Sequence, residues 1–357
     1  MTPADRGERR LLAGAALCYA GFLAYVLFVL RFDMFRSDVQ SYWRQSFEWR
    51  SPFNDWWVPG YSLVIAAVRG LTFGVLPPLA VMVPISAMAY LIAVRAVYRI
   101  GLEVGSPYAL ELGAAFALFP LVGLTTAAYP LSDISAIALF LLAVLAMLRR
   151  QWVRFALFAG AALVTHKVMW FFVPPLVATA FVRDRAARPI VPLAFVPLIA
   201  WIVGGYFKFH HPLWFIRFNY EAHTVAKGGF PVLGGLVETF ALGTPIKIGK
   251  GVLIAIVLCT ALVSGVGCAR RRQWVGVWIS AVVVFLVAAV NAYEIWIAVR
   301  FAKLLVVPWC LLTGGATAPP PPRWNKATAA LGLALLVLTN LAYGYYLAHY
   351  FDVPVRP

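Results

Sequence analysis

Charged residues are scarce in this chain: Asp, Glu, Lys and Arg together make up 12% of its 357 residues, while hydrophobic residues make up 62%. Soluble globular domains carry about twice that share of charge. No stretch is hydrophilic for long enough to form a separate soluble domain. The composition therefore excludes a soluble protein and indicates an integral membrane protein.

Cysteine is also rare, and the four cysteines lie in or at the ends of apolar runs, at positions 18, 259, 268 and 310. Their spacing is unpaired, so it suggests neither a disulfide framework nor a thiolate metal site, and we expect them to pack. The sequence contains no G-x-x-x-x-G-K-[ST] phosphate-binding loop. Nothing in it therefore suggests transport driven by ATP.

What the chain has in abundance is long apolar runs, most of them near the roughly 20 residues that cross a bilayer as a helix. We predict a single all-α polytopic domain over residues 1–357 with about eleven transmembrane helices. The predicted spans are 11–30, 77–95, 109–128, 131–148, 153–166, 168–182, 189–206, 250–268, 274–291, 301–317 and 326–347. The first run is long for a signal-peptide core and lacks a small-residue cleavage site, so we interpret it as a retained span.

The net charge of +16 would suggest a nucleic-acid partner in a soluble protein, but here most arginines lie in short turns between spans. We therefore expect no nucleic acid. If the N-terminus is cytoplasmic, every cytoplasmic turn is basic, as the positive-inside rule requires. These turns are 95–99, 149–154, 183–188, 270–272 and 319–326.

Two long connections, 31–76 and 207–249, then fall on the outer face together with most of the acidic residues. The first carries four tryptophans and the second carries Trp214, and their amphipathic rings favour the headgroup level. Residues 57–75 are apolar enough to cross the membrane but contain Pro59, Gly60 and Arg69. We interpret this segment as juxtamembrane or re-entrant, because a further span would turn the downstream arginine turns outward.

The first outer loop contains a candidate general base. In "RSDVQSYW", Ser37 and Gln40 match the capping-box pattern, which predicts a helix starting at Asp38. A carboxylate is favoured in its ionised form at a helix start, and Tyr42 lies one turn further on the same face. Asp38 suits a base that takes a proton from a hydroxyl; the alternative is a solvated helix-start residue.

Several cations share the predicted outer face with this carboxylate. Ionisable groups at membrane depth are costly and generally face a cavity or pathway. Arg300 and Lys303 are three residues apart, hence on one helical face, and could hold a lipid phosphate or pyrophosphate. Snorkelling toward anionic headgroups is the alternative for each cation. The outer cations are Arg44, Arg50, Lys167, Arg217, Lys247, Arg300 and Lys303.

The second outer loop carries three histidines, at 210, 211 and 223, and Glu221. These residue types can ligate zinc, but the adjacent pair and the gap that follows match no standard zinc spacing. We expect an aromatic, glycine-hinged interfacial loop here and no metal site.

Short motifs along residues 10–315 resemble the GT-C superfamily of polytopic glycosyltransferases, which use polyprenyl-phosphate sugars. "SDVQSYW" followed by "WWVPGYSLVIAAV" is similar to the first-loop Asp-Tyr and Pro-aromatic stretch of those families. "AYPLSDISAIAL" resembles the Tyr-x-[ST]-[DE] motif of mannosyltransferase-like members, with Asp133 in the acidic slot. "VRFAKLLVVPW" resembles a late Arg-aromatic motif. The short helices at 153–182 fit a common pair, with His166 and Lys167 at the break.

The resemblance implies an inverting glycosyltransferase that moves a sugar, mannose being one candidate, from a polyprenyl-phosphate donor to a lipid or glycan acceptor. It implies Asp38 as the base, with Asp33 able to share or take that role. Arg300, Lys303, Lys167 and Arg44 would bind the donor phosphate, and Tyr42, His166, Asp33 and Arg217 would position substrate. No cofactor or divalent metal is expected. We expect a bacterial inner-membrane protein whose active site faces the periplasm or exterior.

A lipid or solute transporter, including a flippase, is the competing interpretation, because its spans also carry charges that face a cavity. Transporters usually show repeats and charged or broken helices near the midplane, whereas here the charges collect at one face. Other lipid-linked polymer enzymes, such as ligases, also remain open. A non-enzymatic scaffold would not explain an outer loop pair rich in cations and carboxylates.

The predicted topology can be tested with single cysteines in a variant whose native cysteines are replaced. We expect a membrane-impermeant maleimide to label Glu48→Cys in intact cells, because the first long loop is external. Gln151→Cys in a basic turn should react only after permeabilisation and serves as the control. Labelling of Glu48→Cys only after permeabilisation would contradict the topology and the outward-facing site.

Overall fold

The structure is a computed structural model in which residues 3–31, 34–35, 37–50, 52–53, 57–118, 130–216, 245–289 and 300–315 are described. The secondary structure of this part of the chain is helical, with turns between the helices and no strands. The all-α prediction is therefore confirmed for the described residues. The predicted span 326–347 lies outside them.

Between residues 60 and 118 and between 130 and 209 the helices follow one another with short connections. Two 3₁₀ segments, Val191–Phe195 and Ala302–Leu305, lead directly into the helices that begin at Val196 and Val306. A π-helical stretch, Tyr25–Val29, continues the first helix. The helices are α1 Pro3–Ala24, α2 Ser37–Gln45, α3 Gly60–Leu71, α4 Pro78–Glu103, α5 Ala109–Leu118, α6 Ser132–Leu148, α7 Trp152–Thr165, α8 Met169–Arg183, α9 Val196–Phe209, α10 Pro245–Arg270, α11 Trp274–Ala289 and α12 Val306–Thr313.

Within the described ranges three helical segments are long and apolar enough to cross a membrane: Ala4–Val29, Pro78–Glu103 and Val191–Phe209. The other apolar helical stretches there are 10–17 residues long, and one of them, Ile254–Arg270, is part of the 26-residue α10. At about 1.5 Å per residue, most of these are shorter than the roughly 30 Å hydrocarbon layer. A helical membrane protein is thus supported, and the predicted number of eleven spans stays a prediction.

The basic turns after α6, α8 and α10 meet at one end of the bundle, and the predicted turn 319–326 lies outside the described residues. In the turn after α6, Arg149 Nε donates to Glu103 Oε2 at the end of α4, at 2.8 Å. Arg183 at the end of α8 donates to the carbonyl of Arg272, after α10, at 2.8 Å. We call this the arginine end. Successive helices from α4 onward run alternately toward it and away from it, as the predicted topology requires.

Helix α6 lies at the centre of the bundle and is buried on all sides for most of its length. Ile134, Ile137, Phe140 and Leu141 are fully buried, and α6 packs closely on α4 and α7. Small residues allow helix backbones to approach closely. Helix α7 shows this at Gly160, where a Cβ would lie 2.9 Å from the carbonyl oxygen of Ala194 in the 3₁₀ segment Val191–Phe195.

The segment interpreted as juxtamembrane forms the twelve-residue helix α3, about 18 Å long and too short to cross the hydrocarbon layer. Its buried face carries Tyr61, Ser62 and Ile65, whereas Leu71 on another face is 80% exposed. Arg69 lies over the ring of Phe47, 3.4 Å from its centroid. The exposed residues of α3 include Leu63, Val64 and Leu71, which are apolar and suited to contact with lipid.

The start of α3 contacts the end of α7 so closely that only glycine fits at position 60. A Cβ there would lie 2.6 Å from the carbonyl oxygen of Val164 and 2.9 Å from Thr165 Oγ1. The obstacle includes backbone, which cannot rotate away as a side chain can. Gly60 therefore fixes the first outer loop against the turn that follows α7.

We expect Gly60→Ala to destabilise the protein by about 1–3 kcal/mol, because the added methyl group forces α3 away from α7. The measurement is the thermal unfolding midpoint of the purified protein in detergent. Gly70→Ala is a matched control in the same helix, since a Cβ there has nothing within 4 Å. An equal loss of stability in both variants would show that the close contact is not the cause.

Candidate functional site

The start of α6 places a buried carboxylate at the opposite end of the bundle from the arginine end. Leu131 is extended, with φ −101° and ψ 167°, and the helix begins at Ser132. Asp133 lies in the first turn and is only 2% exposed. The partial positive charge of the helix start favours an ionised carboxylate at this position.

The guanidinium of Arg300 and the imidazole of His166 face this carboxylate. Arg300 Nη1 lies 3.5 Å from Asp133 Oδ1, and His166 Nε2 lies 3.8 Å from the same oxygen. Asp133 Oδ1 makes no hydrogen bond of good geometry with any described residue. A buried carboxylate needs such charge partners, because leaving it alone in a medium of low polarity is costly.

His166 ends α7 in an extended conformation and lies beside the Phe301 ring, with centroids 4.9 Å apart. The backbone N–H of Val168 donates to its Nδ1 at 3.2 Å. In the neutral ring the proton is therefore on Nε2, the atom that faces Asp133. Burial lowers the pKa of His166, Asp133 opposes this shift, and Arg300 and Lys167 add to it. The imidazole is thus neutral at neutral pH.

Tyr42 of α2 reaches the start of α6. Its hydroxyl forms a 2.6 Å hydrogen bond with Ser132 Oγ, and its ring packs edge-on against Tyr61, with centroids 5.1 Å apart. Burial raises the pKa of Tyr42, and the negative charges of Asp133 and Asp38 raise it further. The phenol therefore stays protonated and lies within electrostatic reach of both carboxylates.

Asp38 occupies the first turn of α2 and is partly exposed. Gln40 Nε2 donates to the carbonyl of Phe35 at 2.8 Å, and the capping box stays a prediction, because the Ser37 side chain lies outside the described part of the structure. The helix begins at Ser37, one residue earlier than predicted. Asp38 nevertheless keeps its predicted place at a helix start, one turn before Tyr42.

We call Tyr42, Ser132, Asp133, His166 and Arg300 the Asp133 cluster. It joins α2, α6, the turn between α7 and α8, and the chain before α12. Lys167 lies next to His166, and its Nζ donates to the carbonyl of Phe215 at 3.0 Å. The site therefore also contacts the beginning of the second outer loop.

Two other predicted phosphate ligands lie elsewhere. Arg44 is exposed, about 200° around α2 from the buried Tyr42, given the 100° turn per helical residue. Lys303 is buried at 4% exposure and its Nζ lies 4.5 Å from the centre of the Phe116 ring. The described contacts thus place neither in the Asp133 cluster, and a phosphate role for either stays a prediction.

The predicted positioning residues Asp33 and Arg217 lie outside the described residues, as do Glu221 and His223. In the preceding part of the second loop, His210 adopts a left-handed conformation with φ 54° at the end of α9. His211 Nδ1 accepts from the Leu213 N–H at 3.1 Å. Within the described ranges no three His, Cys, Asp or Glu residues form a group suited to a metal ion.

Asp133 is the central residue of the cluster, yet it is not among the predicted site residues. The resemblance had singled it out as the acidic position of "AYPLSDIS", but nothing in the local sequence showed which groups would face it. The useful signal was a carboxylate in the first turn of a wholly apolar helix. Such a residue must be buried near its charge partners.

Comparison with known proteins adds no relative to this geometry. No protein-family model matches the sequence, and no curated protein matches it.

The hydrogen bond between Tyr42 and Ser132 can be measured with a double-mutant cycle. We expect Tyr42→Phe alone to cost about 1–3 kcal/mol, because the buried Ser132 hydroxyl loses its partner. Adding Ser132→Ala should recover most of this loss, since no unpaired hydroxyl remains. The readout is the thermal midpoint in detergent. Additive losses would show that the two hydroxyl groups do not interact.

Proposed function

We propose that this protein is an inverting membrane glycosyltransferase of GT-C type that transfers a sugar from a polyprenyl-phosphate donor to a lipid or glycan hydroxyl. One observation carries the proposal: carboxylates, a neutral histidine and two cations gather at a single end of an apolar helical bundle, away from the arginine end. That arrangement would supply a base for the acceptor hydroxyl and cations that stabilise the leaving phosphate, at the level where lipid headgroups and water meet.

In the proposed reaction the acceptor hydroxyl oxygen attacks the anomeric carbon as Asp38 takes its proton. The bond between that carbon and the phosphate oxygen breaks, and the lipid phosphate leaves with the electron pair. Attack opposite the leaving group inverts the anomeric configuration. Asp38 suits the base role because it is partly exposed at a helix start, where its ionised form is favoured and a substrate can approach.

Asp133 is better suited to holding the cluster together. Its carboxylate is almost fully buried and faces Arg300 and His166. It therefore orients the Arg300 guanidinium, which is 28% exposed and can also meet a phosphate. Fixed cations that face the developing negative charge lower the barrier without reorganising during the reaction.

Lys167 would supply the second cation for the phosphate, and His166 and Tyr42 would position sugar hydroxyls. The neutral imidazole and the protonated phenol are suited to hydrogen bonding rather than to charge neutralisation. The proposal includes a bacterial inner membrane and a site at its periplasmic face, in keeping with positive turns at the opposite end.

A transporter would also bring charged groups to a cavity, but the described ionisable groups of this site lie at the helix ends and their turns. Transporter sites usually lie near the bilayer midplane, between broken helices. The position of the Asp133 cluster thus favours chemistry at the membrane edge over passage through the bundle.

The test is an in vitro transfer assay with radiolabelled polyprenyl-phosphate sugars, mannose first, and a lipid and cell-wall extract as acceptor. We expect Asp38→Asn to lower the rate by about 100-fold or more, because a general base typically contributes at least that factor. Asp184→Asn makes the same change at the arginine end and should keep a rate within about twofold of the native one.

Unchanged transfer by well-folded Asp38→Asn would remove Asp38 as the base. Movement of intact labelled donor across proteoliposomes, with no sugar transferred to any acceptor, would support the transporter interpretation instead.

A further inference from the structure

Lys303 is a buried lysine for which the described residues provide no counter-ion. Its side chain is 4% exposed, and Nζ has no hydrogen-bond partner among them. The nearest favourable contact is the face of Phe116, 4.5 Å from Nζ to the ring centroid. A cation over an aromatic face is only partly compensated, so a buried ammonium group in this position calls for an anion.

The lysine lines a groove of about 180 Å³ between α5, α10 and the segment that contains the second 3₁₀ turn and α12. The remaining lining is almost entirely apolar and includes Ala115, Phe116, Ile256 and Trp309. The polar exception is Thr260, whose hydroxyl donates to the carbonyl of Ile256 in its own helix. A ligand here would meet one positive charge and a hydrocarbon wall.

None of the residues that line the groove belongs to the Asp133 cluster. Ala115 and Ile256 on its rim are exposed apolar residues of neighbouring helices, positions that contact lipid tails in a membrane-embedded bundle. The charged groups that shift the pKa of His166 are Asp133, Arg300 and Lys167, and Lys303 is not one of them. The lysine groove is therefore a separate site.

We propose that the lysine groove binds an anionic phospholipid of the surrounding bilayer, with its phosphodiester against Lys303 Nζ and an acyl chain along the apolar wall. One ammonium group matches the single negative charge of a phosphodiester. Basic pockets between membrane helices bind lipid headgroups through the same combination of charge and apolar surface. This site does not depend on the proposed sugar transfer, because it uses none of the Asp133 cluster.

The experiment is native mass spectrometry of the full-length protein in neutral detergent, titrated with phosphatidylglycerol or with phosphatidylcholine of the same acyl chains. We expect one bound phosphatidylglycerol with about tenfold preference over phosphatidylcholine, the factor expected for one charge-assisted hydrogen bond. Lys303→Met should remove the preference while keeping the volume of the side chain. Phosphatidylglycerol should also raise the thermal midpoint of the native protein, but not that of Lys303→Met.

Lys208→Met is the matched control, because Lys208 is exposed and donates to the Phe53 carbonyl away from the groove. It should keep the preference, whereas Thr260→Trp should lose it by filling the groove with Lys303 intact. A preference that survives Lys303→Met, or its absence in the native protein, would overturn the proposal. So would oleate displacing phosphatidylglycerol at equal concentration, since a fatty acid would then be the better ligand.

Discussion

A carboxylate buried in an apolar bundle has to be balanced by positive charge, and this requirement organises the end of the molecule that carries the candidate site. Asp133 is 2% exposed in the first turn of α6, and the helix start provides only part of the compensation. Arg300 provides the balancing charge at 3.5 Å, and Nε2 of the neutral His166 faces the same oxygen at 3.8 Å. Three segments that are distant in sequence therefore meet at one point.

The large-scale arrangement was accessible from the sequence because few physical rules decide it. Apolar runs become helices when the backbone has no water to bond with, and the arginine turns gather at one end, as seen for Arg149 and Arg183. The twelve-residue length of α3 agrees with the prediction that residues 57–75 do not cross the membrane. Exact helix bounds were less accessible, since α4 continues to Glu103, beyond the predicted span 77–95.

The composition of the site was less accessible, because side chains find their partners through tertiary packing. A spacing of three residues suggested that Arg300 and Lys303 act together, yet their long side chains end near Asp133 and Phe116, respectively. Arg44 and Tyr42 point to different sides of α2 by helical phase alone. The prediction that Arg44 binds the donor phosphate could therefore have been refined from the sequence. The tautomer of His166, by contrast, depends on the backbone N–H of Val168, which no residue pattern reveals.

The two sides of the site are held with unequal stiffness. On one side, Gly60 brings α3 into backbone contact with the end of α7, which ties the first loop to the His166 turn. On the other side, the Lys167 side chain holds the Phe215 carbonyl, a link with four rotatable bonds. A displacement of the segment around Phe215 would therefore break one side-chain hydrogen bond and leave the bond between Tyr42 of α2 and Ser132 of α6 intact.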